Sequence, residues 1–579
     1  MLARKFVIFD LETTGMQPGF DEIIEIGAVK LVDGEIVERF QTLVHPRQKL
    51  PLSIQRLTGI SEEELKNQPS IAEVLPGFIE FVGNSPVVGH NVGFDLGFMT
   101  AALGHRLSQT YYDTVELARW CFPLAPNYRL SGLAQFLGIA GENFHRALND
   151  AEVTARLFQR CLDKLLGFDL DLLHQVNQLL AGSSNPTVGL LQEVEQELSR
   201  KFPNRLIRES SLCLAASEVG GLFAPTVEKQ RPKFVQAEVM EVLGAKGSFA
   251  AHIPNYQFRP GQLEMERGVV QAFSTDSHLV VEAGTGTGKS LAYLVPAIFW
   301  AASQGEKVVI STHTITLQEQ LWDKDIPLLR HLLNLDFQAA LVKGRNNYLC
   351  LRKWQAVHHE PEQLSNEDRR EMAGVLTWLS ETTSGDRAEL NLSPKGTELW
   401  YRLGADSDSC LGNRCRFFNN GCFVMRARRK AEEADILIVN HSLLLSDVKT
   451  ENKVLPAYSY LVIDEAHHLE DSATEHLGKM LGEGQIEQLY RLLQRSGATP
   501  GLFSQLKFRL PSFTGKLGDE NIENLEQLLG QAAELLGQVQ EVARDFFSCL
   551  ITLAQNYGEG ENSSIQLRLR EQYTELSIW

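Results

Sequence analysis

The sequence lacks the features that direct a chain into a membrane or a secretory pathway. No apolar stretch approaches the ~20 residues that a membrane-spanning helix needs. The first residues, MLARKFVIFDLETTG, contain no apolar signal core followed by a small-residue cleavage site. Internal repeats and low-complexity tracts are also missing. We therefore expect a cytoplasmic protein, with no membrane partner, built from packed globular domains.

Positive charge and cysteine are both scarce. Lys and Arg number 55 against 73 Asp and Glu, which gives a formal charge of −18. This excess argues only weakly against a polyanionic partner, because phosphate binding depends on local patches rather than on net charge. Eight cysteines in a chain expected in the cytoplasm do not predict a disulfide framework. The length of 579 residues predicts several domains rather than one.

An α/β pattern occupies the first part of the chain. Residues 5–12 and 23–32 have the apolar and β-branched character of strands. Helical spacing follows at 71–82, 95–105, 114–121, 131–137 and 149–165. Residues 1–166 therefore predict one compact domain. Residues 167–250 predict a connector, because Ala-Gly-Ser-Ser-Asn-Pro at 181–186 is typical of a linker and the periodicity of 187–250 is weak.

A second α/β pattern begins near residue 251. Strand candidates at 278–283, 307–311, 436–440 and 459–463 alternate with loops or helices, as in a parallel sheet covered by helices. We assign residues 251–342 and 430–475 to this domain and 343–429 to an insertion within it. Residues 476–579 predict a helical segment. Its apolar residues recur at three- or four-residue spacing between Ile522 and Leu550, which favours packing within a helical subdomain.

Carboxylates occur in three short segments of the first domain. Asp10 and Glu12 lie two residues apart at the end of a hydrophobic strand, which places both on one face. Burying paired acids is costly unless a cation or protons neutralise them. Asp95 falls at the start of a helix, and Asp150 follows the loop residue His145 by about a helical turn. Taken alone, Asp-x-Glu is a weak signal, and a structural role explains it better than a metal site does.

The four acids and the histidine, in this order, resemble the motif set of the DnaQ-like (DEDDh) exonucleases, the proofreading type, over residues 4–165. The resemblance implies an RNase H-like fold, with two Mg²⁺ or Mn²⁺ ions bound by Asp10, Glu12, Asp95 and Asp150. Hard cations prefer such carboxylate oxygens. It also implies that His145 is the general base, a role that suits a side chain titrating near neutral pH. The implied product is a nucleoside monophosphate released from a 3′ end.

A phosphate-binding pattern opens the second domain. It follows an apolar segment, precedes a helix-like run, and consists of Ala283, Gly284, Thr285, Gly286, Thr287, Gly288, Lys289 and Ser290. Glycines let backbone N–H groups approach phosphate oxygens, and the helix N-terminus adds a favourable field. We expect Lys289 to reach the β- and γ-phosphates of ATP and Ser290 to bind its Mg²⁺. Ala283 stands where such loops usually have their first glycine.

A second apolar strand candidate ends in the expected ATP-site residues Asp464, Glu465, Ala466 and His467. Asp464 is expected to hold Mg²⁺ through water and Glu465 to orient or activate the hydrolytic water. His467 is expected to couple the nucleotide state to neighbouring elements. Upstream, Gln262 is the candidate adenine contact, and residues 311–314 resemble a first DNA-contacting motif. Together these segments resemble the superfamily 2 helicases of the DEAH type.

The insertion contains four cysteines, Cys350, Cys410, Cys415 and Cys422, without a Cys-x-x-Cys pair. Thiolate sets bind zinc or iron–sulfur clusters, and spacing alone leaves zinc, a cluster and ordinary buried cysteines open. The position between the phosphate-binding loop and the DEAH segment resembles the XPD/DinG helicases. Their insertion holds a [4Fe–4S] cluster, which the resemblance implies here.

A basic stretch surrounds three of these cysteines. Between Ser409 and Ala431 the sequence has six cations, no acid, and the aromatic residues Phe417, Phe418 and Phe423. Basic residues follow phosphates and aromatic faces stack on bases, so we expect a nucleic-acid partner, single-stranded DNA in the first place. A solvated basic surface is the alternative.

The complete pattern resembles the exonuclease-fused DinG proteins of bacteria, which suggests a role in DNA repair. We expect a 3′–5′ exonuclease joined to an ATP-binding helicase-type module. The alternatives are an ATP-dependent helicase with a subordinate nuclease, and an ATP-gated nucleic-acid clamp. No second helicase lobe follows residue 470, and the helical segment resembles the start of an arch-type subdomain. Since the second lobe supplies an arginine finger, this chain is expected to hydrolyse ATP poorly and not to unwind duplexes.

Overall fold

The computed structural model describes residues 5–141, 144–183, 185–201, 231–254, 256–360, 364–478, 481–494, 501–513, 515 and 518–557. These residues divide into two compact units. The first unit contains the described residues up to 444 together with 452–464. The second contains residues 445–451 and the described residues from 465 onward. The chain has the mixed α/β architecture that its sequence predicts.

A five-stranded sheet forms the centre of the N-terminal domain. Its strands are β1 (Lys5–Thr13), β2 (Ile23–Val32), β3 (Glu35–Leu43), β4 (Val87–Gly89) and β5 (Tyr111–Asp113), in the order β3-β2-β1-β4-β5. The pairs β1–β2 and β2–β3 are antiparallel, whereas β4 and β5 join in parallel. The strong apolar strands β1 and β2 were predicted, while the three-residue strands β4 and β5 were not.

Helices cover both faces of this sheet: α1 (Leu52–Thr58), α2 (Glu62–Leu65), α3 (Ile71–Val82), α4 (Val92–Leu103), α5 (Thr114–Cys121), α6 (Leu130–Leu137) and α7 (Ala147–Leu166). Alternate residues of β1 enter two different cores, since Phe6 and Ile8 lie in one and Val7 and Phe9 in the other. Because side chains alternate along a strand, the polar residues near the end of β1, Asp10 and Glu12, lie on the same face of the sheet.

The predicted connector contains two helices that belong to the first core. Helices α8 (Leu170–Leu179) and α9 (Pro186–Lys201) place apolar residues, among them Leu173, Leu190 and Val194, in the cluster that includes Ile8 of β1. The interpretation of residues 187–250 as a connector with weak periodicity is therefore wrong for α9. Its apolar positions are interrupted by Gly189 and several glutamates, which hides the helical period in the sequence. Residues 202–230 lie outside the described part of the chain.

The second domain is built on a parallel sheet of strands β6 (Val308–Thr312), β7 (Ala339–Leu341), β8 (Ile436–Asn440) and β9 (Tyr460–Ile463), in the order β7-β8-β6-β9. The helices of this domain include α10 (Gln236–Val242), α11 (Ser248–His252), α12 (Pro260–Ser274), α13 (Lys289–Gln304), α14 (Ile315–Gln320) and α15 (Ile326–Leu332). Apolar residues of α10–α13 and α15 share one cluster with Val308 and Ile310 of β6. Three of the four strand candidates are confirmed.

The strand predicted at 278–283 is not formed. Residues 277–284 are extended without a ladder, and Leu279, Val280 and Val281 are 43%, 97% and 41% exposed. An apolar run gains burial as a strand only where a neighbouring strand pairs with its backbone. Within the described residues, β9 at the edge of the sheet forms backbone hydrogen bonds with β6 alone. In the part of the chain that the structure describes, residues 278–283 therefore have no strand with which to pair.

The insertion is helical, with α16 (Leu351–His358), α17 (Asn366–Leu379), α18 (Pro394–Leu403) and α19 (Phe423–Glu433). Its tryptophans Trp354, Trp378 and Trp400 lie in the same hydrophobic cluster as Trp120 of the N-terminal domain. The buried ammonium of Lys343, at the start of the insertion, lies 2.7 Å from Glu319 of α14 and 2.7 Å from Asp386. The insertion is thus joined by packing to one domain and by ion pairs to the other.

Helix α20 (His441–Lys449) follows β8, and the second unit contains α21 (Leu469–Leu477), α22 (Glu483–Gln494), α23 (Leu502–Arg509) and α24 (Asp519–Tyr557). The predicted amphipathic helix is present as α24. Its packing is partial, since Ile522 and Leu553 are buried while Leu535 and Val542 are 60% and 67% exposed. None of the described helices combines the length and hydropathy needed to span a membrane.

Candidate functional site

The structure brings the predicted acids of the N-terminal domain together at the end of β1. Asp10 and Glu12 are on β1, Asp95 is in the first turn of α4, and Asp150 is in the first turn of α7. The backbone N–H of Leu11 donates to Asp95 Oδ1 over 3.1 Å, which ties α4 to the strand. Glu12, Asp95 and Asp150 are all buried. Three segments that together span about 140 residues of sequence therefore converge on one site.

His145 lies at the mouth of this site. Ligand atoms of Glu12, His145 and Asp150 lie within 4.8 Å of one another, and of the three only His145 is exposed. Its φ of 71° is left-handed, and its backbone N–H donates to Asp150 Oδ2 over 3.0 Å. Such a φ is uncommon for a residue with a side chain. The turn before α7 is therefore specific, and it holds the imidazole beside two carboxylates.

Burial and mutual repulsion make negative charge unfavourable in this site. Burial, followed by the charges of Asp95 and Asp150, raises the pKa of Asp10 well above its usual value. Burial, followed by Asp150 and Glu25, raises the pKa of Glu12 to about 8, while Arg146 lowers it. Burial likewise raises the pKa values of Asp95 and Asp150.

The donor set of the site fits divalent cations. Its carboxylate oxygens are the ligands that Mg²⁺ and Mn²⁺ prefer, and a dication would relieve the repulsion among them. Among the described residues, no hydrogen-bond donor reaches the buried Asp150 Oδ1, as expected for an atom reserved for a cation. Divalent metal use is thus a property of this domain.

The phosphate-binding loop has the backbone that its glycines predict. Gly286 and Gly288 have φ values of 81° and 86°, and helix α13 begins directly at Lys289. Gln262 is buried and its amide donates to the carbonyl of Gly288 over 2.9 Å, and Arg259 donates to the carbonyl of Gly286. In this structure the predicted adenine contact, Gln262, therefore braces the loop itself.

Sequence reasoning missed a tyrosine that connects the two expected magnesium ligands. The hydroxyl of Tyr293 donates to Asp464 Oδ2 over 3.1 Å and is also hydrogen-bonded to the side chain of Ser290. Burial and the charge of Asp464 raise the pKa of Tyr293 well above its usual value. The available signal was spacing, because Tyr293 is three residues from Ser290 and lies on the same face of α13.

The remaining residues of the DEAH segment belong to the second unit. Glu465 has a left-handed φ of 52° and precedes a 3-10 turn at Ala466–His468. Within that turn, His467 Nδ1 lies 3.6 Å from Glu465 Oε2. The backbone thus turns sharply directly after Asp464, which ends the first unit.

Three of the four cysteines of the insertion, Cys350, Cys410 and Cys422, lie close enough for their charges to interact. Cys350 and Cys422 cap the N-termini of α16 and α19, while Cys410 and Cys415 lie in the loop between α18 and α19. Burial raises the pKa of the Cys422 thiol, and the charges of Cys350 and Cys410 raise it further. From the sequence, the four cysteines were expected to bind one cluster only because the insertion resembles that of the XPD/DinG helicases.

Helix α16 holds the loop that carries Cys410. Arg352 donates to the carbonyl of Ser409 over 2.7 Å, and Lys353 forms an ion pair with Asp406. Asp406 in turn accepts hydrogen bonds from the backbone and side chain of Ser409. Arg352 and Lys353 therefore stabilise the fold of this loop through their contacts with Ser409 and Asp406.

The aromatic residues of the basic stretch are less available than predicted. Phe423 is buried in the core, where Arg426 lies over its ring at 5.2 Å, so its assignment as a base-stacking residue is wrong. Phe417 packs against the same core, with Arg416 over its ring at 4.9 Å. The periodicity of α19 places Phe423 on its apolar face, a fact that composition alone does not reveal.

Two families of known proteins match separate parts of the chain. A family model described as "Exonuclease" matches residues 7–158, and one described as "DEAD/DEAH box helicase" matches residues 264–373. The chain therefore carries an exonuclease domain of RNase H-like fold followed by a DEAD/DEAH box helicase domain.

Two relatives are similar to the chain over most of its length. A protein named 3′-5′ exonuclease DinG from Bacillus subtilis (strain 168) is 34% identical over 529 residues, which cover 88% of this chain and 56% of that protein. A protein of the same name from Staphylococcus aureus (strain USA300) is 28% identical over 497 residues, covering 85% and 53%. The chain thus spans about half the length of the curated relatives it matches.

Solved nuclease structures are similar to about a quarter of the chain. A structure of exonuclease X in complex with 5′ overhanging duplex DNA is 28% identical, covers 28% of this chain and 94% of that chain, and has a TM-score of 0.25. A structure of exonuclease I is 20% identical, covers 28% and 43%, and has a TM-score of 0.26.

Proposed function

We propose that this chain is a 3′→5′ exonuclease that hydrolyses single-stranded nucleic acid, DNA in preference to RNA. The observation that carries the proposal is the convergence of Glu12, His145 and Asp150 within 4.8 Å of one another. Buried Asp95 on α4 and half-buried Asp10 on β1 adjoin them. An exposed histidine beside buried acids suits the hydrolysis of a phosphodiester at the end of a strand.

The four acids and His145 have different roles in the proposed reaction: the acids bind metal ions and the histidine transfers a proton. Divalent ions held by Asp10, Glu12, Asp95 and Asp150 would activate the attacking water and stabilise charge on the departing 3′ oxygen. His145, at the exposed mouth, accepts the proton of that water. Asp150 fixes the turn of His145 by accepting its backbone N–H, so the base keeps its position while substrate enters. The product is a nucleoside 5′-monophosphate.

The second domain serves as an ATP-binding module that holds the strand. Lys289 begins α13 beside the two left-handed glycines, and Ser290 and Asp464 share the hydroxyl of Tyr293. This arrangement supports binding of ATP with Mg²⁺ at the phosphate-binding loop. Glu465 remains the candidate for orienting the hydrolytic water.

For the cysteines, the spacing favours an iron–sulfur cluster over a zinc ion. Four sulfurs around one zinc ion lie about 3.8 Å apart, given Zn–S bonds of about 2.3 Å. Among the described residues, ligand atoms of Glu12, His145 and Asp150 lie within 4.8 Å of one another, whereas no three of these cysteine sulfurs lie so close together. A larger [4Fe–4S] cluster accommodates wider spacing, so we propose that Cys350, Cys410, Cys415 and Cys422 hold one.

The test uses single- and double-stranded oligonucleotides, of DNA and of RNA, labelled at the 5′ end and incubated with Mg²⁺ or Mn²⁺. We expect a ladder that shortens from the 3′ end of single-stranded DNA and an inactive Asp10→Asn/Glu12→Gln variant. Glu35→Gln, which removes an exposed carboxylate from the same sheet, is the matched control. If the wild type, the double variant and Glu35→Gln digested the strand equally, the activity would not depend on Asp10 and Glu12.

A further inference from the structure

A buried carboxylate with no role in the proposed chemistry lies directly beside the nuclease acids. Glu25 of β2 pairs in register with Glu12 of β1, and its side chain is fully buried. Its oxygens accept hydrogen bonds from the guanidinium of Arg146, at 2.9 and 3.1 Å, from the backbone of Ala147 at 3.1 Å and from Gln41 at 2.8 Å. The carboxylate is therefore fully satisfied.

This ion pair acts on the turn that carries His145. Arg146 is the residue between His145 and helix α7, and its backbone is extended at φ −129°. The two-pronged contact of a guanidinium with a carboxylate fixes direction as well as distance. Glu25 thus holds the turn from the side of β2, while Asp150 holds His145 from within α7.

The close approach of β2 and α7 makes the contact possible. A Cβ at Gly27, two residues after Glu25, would overlap the backbone of Ala147 and Leu148. The sheet and the helix start are therefore in direct contact at this point. A small displacement of the turn would move the imidazole away from Glu12 and Asp150.

We propose that Glu25 and Arg146 are positioning residues, which keep the His145 turn aligned with Glu12 and Asp150 for proton transfer. The inference rests on the proposed nuclease function. Both residues act through the position of His145, so their loss should reduce the rate of the chemical step and leave oligonucleotide binding unchanged.

A second ion pair provides a matched control. Arg39 of β3 and Glu152 of α7 also join the sheet to this helix, at 2.7 Å, but they are more exposed and lie beyond the His145 turn. Arg39→Met therefore removes a comparable contact without disturbing the turn. An Arg146→Lys variant keeps the charge and loses the guanidinium geometry.

The experiment compares kcat and KM of the full chain on a single-stranded oligonucleotide in Mn²⁺. We expect Arg146→Met to lower kcat by about 10- to 100-fold, as for other partners that orient residues at metal sites, with KM within about twofold. Arg146→Lys should recover part of the loss, and Arg39→Met should match the wild type. In a His145→Ala background, Arg146→Met should change kcat by less than about threefold, because positioning an absent base has no effect.

The double variant Glu25→Gln/Arg146→Met separates positioning from folding, since removing both charges leaves no unpaired buried ion. It should melt close to the wild type and still have the low kcat. The inference would be overturned if this double variant had the wild-type kcat. It would also be overturned if Arg146→Met lowered kcat equally with and without His145, or if Arg146→Met and Arg39→Met had the same kcat. A wild-type chain that digests nothing would instead defeat the proposed function.

Discussion

At the scale of single residues, burial sets the properties of the nuclease acids. The pKa of Glu12 is raised to about 8, and those of Asp10, Asp95 and Asp150 are raised as well. In the metal-free folded protein these groups keep protons that the unfolded chain loses above its ordinary carboxyl pKa values. Their contribution to stability is therefore complete at low pH and is lost as the pH rises towards 8.

The metal-free protein should therefore melt at a lower temperature as the pH rises from 5 to 8.5. Scanning calorimetry in the presence of a chelator measures this trend. Glu12→Gln should flatten it, because the amide does not titrate, and Mn²⁺ at pH 8 should raise the melting temperature of the wild type by binding the ionised acids. A melting temperature indifferent to both pH and Mn²⁺ would contradict the assignment.

Tyr293 provides a residue-scale test of the nucleotide site. Tyr293→Phe removes the hydroxyl shared by Ser290 and Asp464 and should weaken Mg²⁺-ATP binding several-fold, since a hydrogen bond contributes about 1 kcal/mol. Titration calorimetry with ATP gives the dissociation constant. Tyr401→Phe, at an exposed position of α18, is the control and should bind as the wild type does. If the wild type, Tyr293→Phe and Tyr401→Phe bound ATP with equal affinity, Tyr293 would have no role in nucleotide binding.

The sequence predicted which residues meet at the candidate nuclease site but not the partners that position them. Asp10, Glu12, Asp95, His145 and Asp150 could be found because they stand in short segments with a characteristic order. Glu25 and Arg146 could not, since 121 residues separate them and only the fold shows that they meet. Glu25 also looks like an ordinary polar residue within an apolar strand.

At the scale of helices and strands, Gly27 controls how closely α7 approaches the sheet. Gly27→Ala should destabilise the protein by about 1–3 kcal/mol, as overpacked cores generally do, and should lower nuclease activity by displacing the His145 turn. Denaturant unfolding and the digestion assay measure the two effects.

The control for this substitution is Gly189→Ala. Gly189 lies within α9, and a Cβ there meets nothing within 4 Å. Alanine should therefore stabilise that helix slightly, by up to about 1 kcal/mol, and leave activity unchanged. Similar effects from both substitutions would mean that the contact between Gly27 and α7 has no special importance.

Elements with a strong hydrophobic period were predictable, and those that depend on neighbours were not. Helix α3 has the predicted bounds, and β1 and α7 differ from prediction by one or two residues. Strands β4 and β5 are too short to show a period, and the apolar run at 278–283 fails to form a strand where no described partner pairs with it. Strand formation requires tertiary contacts that local sequence does not encode.

At the scale of the whole molecule, the nuclease domain and the cysteine-bearing insertion share one hydrophobic cluster. Trp120 of α5 donates to the carbonyl of Arg370 in α17 over 3.2 Å, and Lys164 of α7 lies 2.6 Å from Glu381. The sequence predicted separate domains joined by a connector, because pairings across 200 residues or more leave no local pattern. The shared core links the stability of both parts.

Loss of the cysteine site should therefore destabilise the nuclease domain. Cys350→Ser/Cys422→Ser should lower the iron and sulfide content and the melting temperature, because α16 and α19 begin at these residues and pack into the shared core. Cys549→Ser, at an exposed position of α24, is the control and should change neither. Unchanged iron content in the double variant would contradict the proposed cluster.

The account depends most on the four acids and His145 acting as one metal-dependent nuclease. The most direct measurement is the rate at which Asp150→Asn shortens a 5′-labelled single strand in Mn²⁺, relative to wild type. Asp150 both offers a ligand oxygen and fixes His145, so its loss should reduce the rate by at least about 1,000-fold, the combined effect of a lost charge and a misplaced base. A rate within tenfold of the wild type would contradict the account.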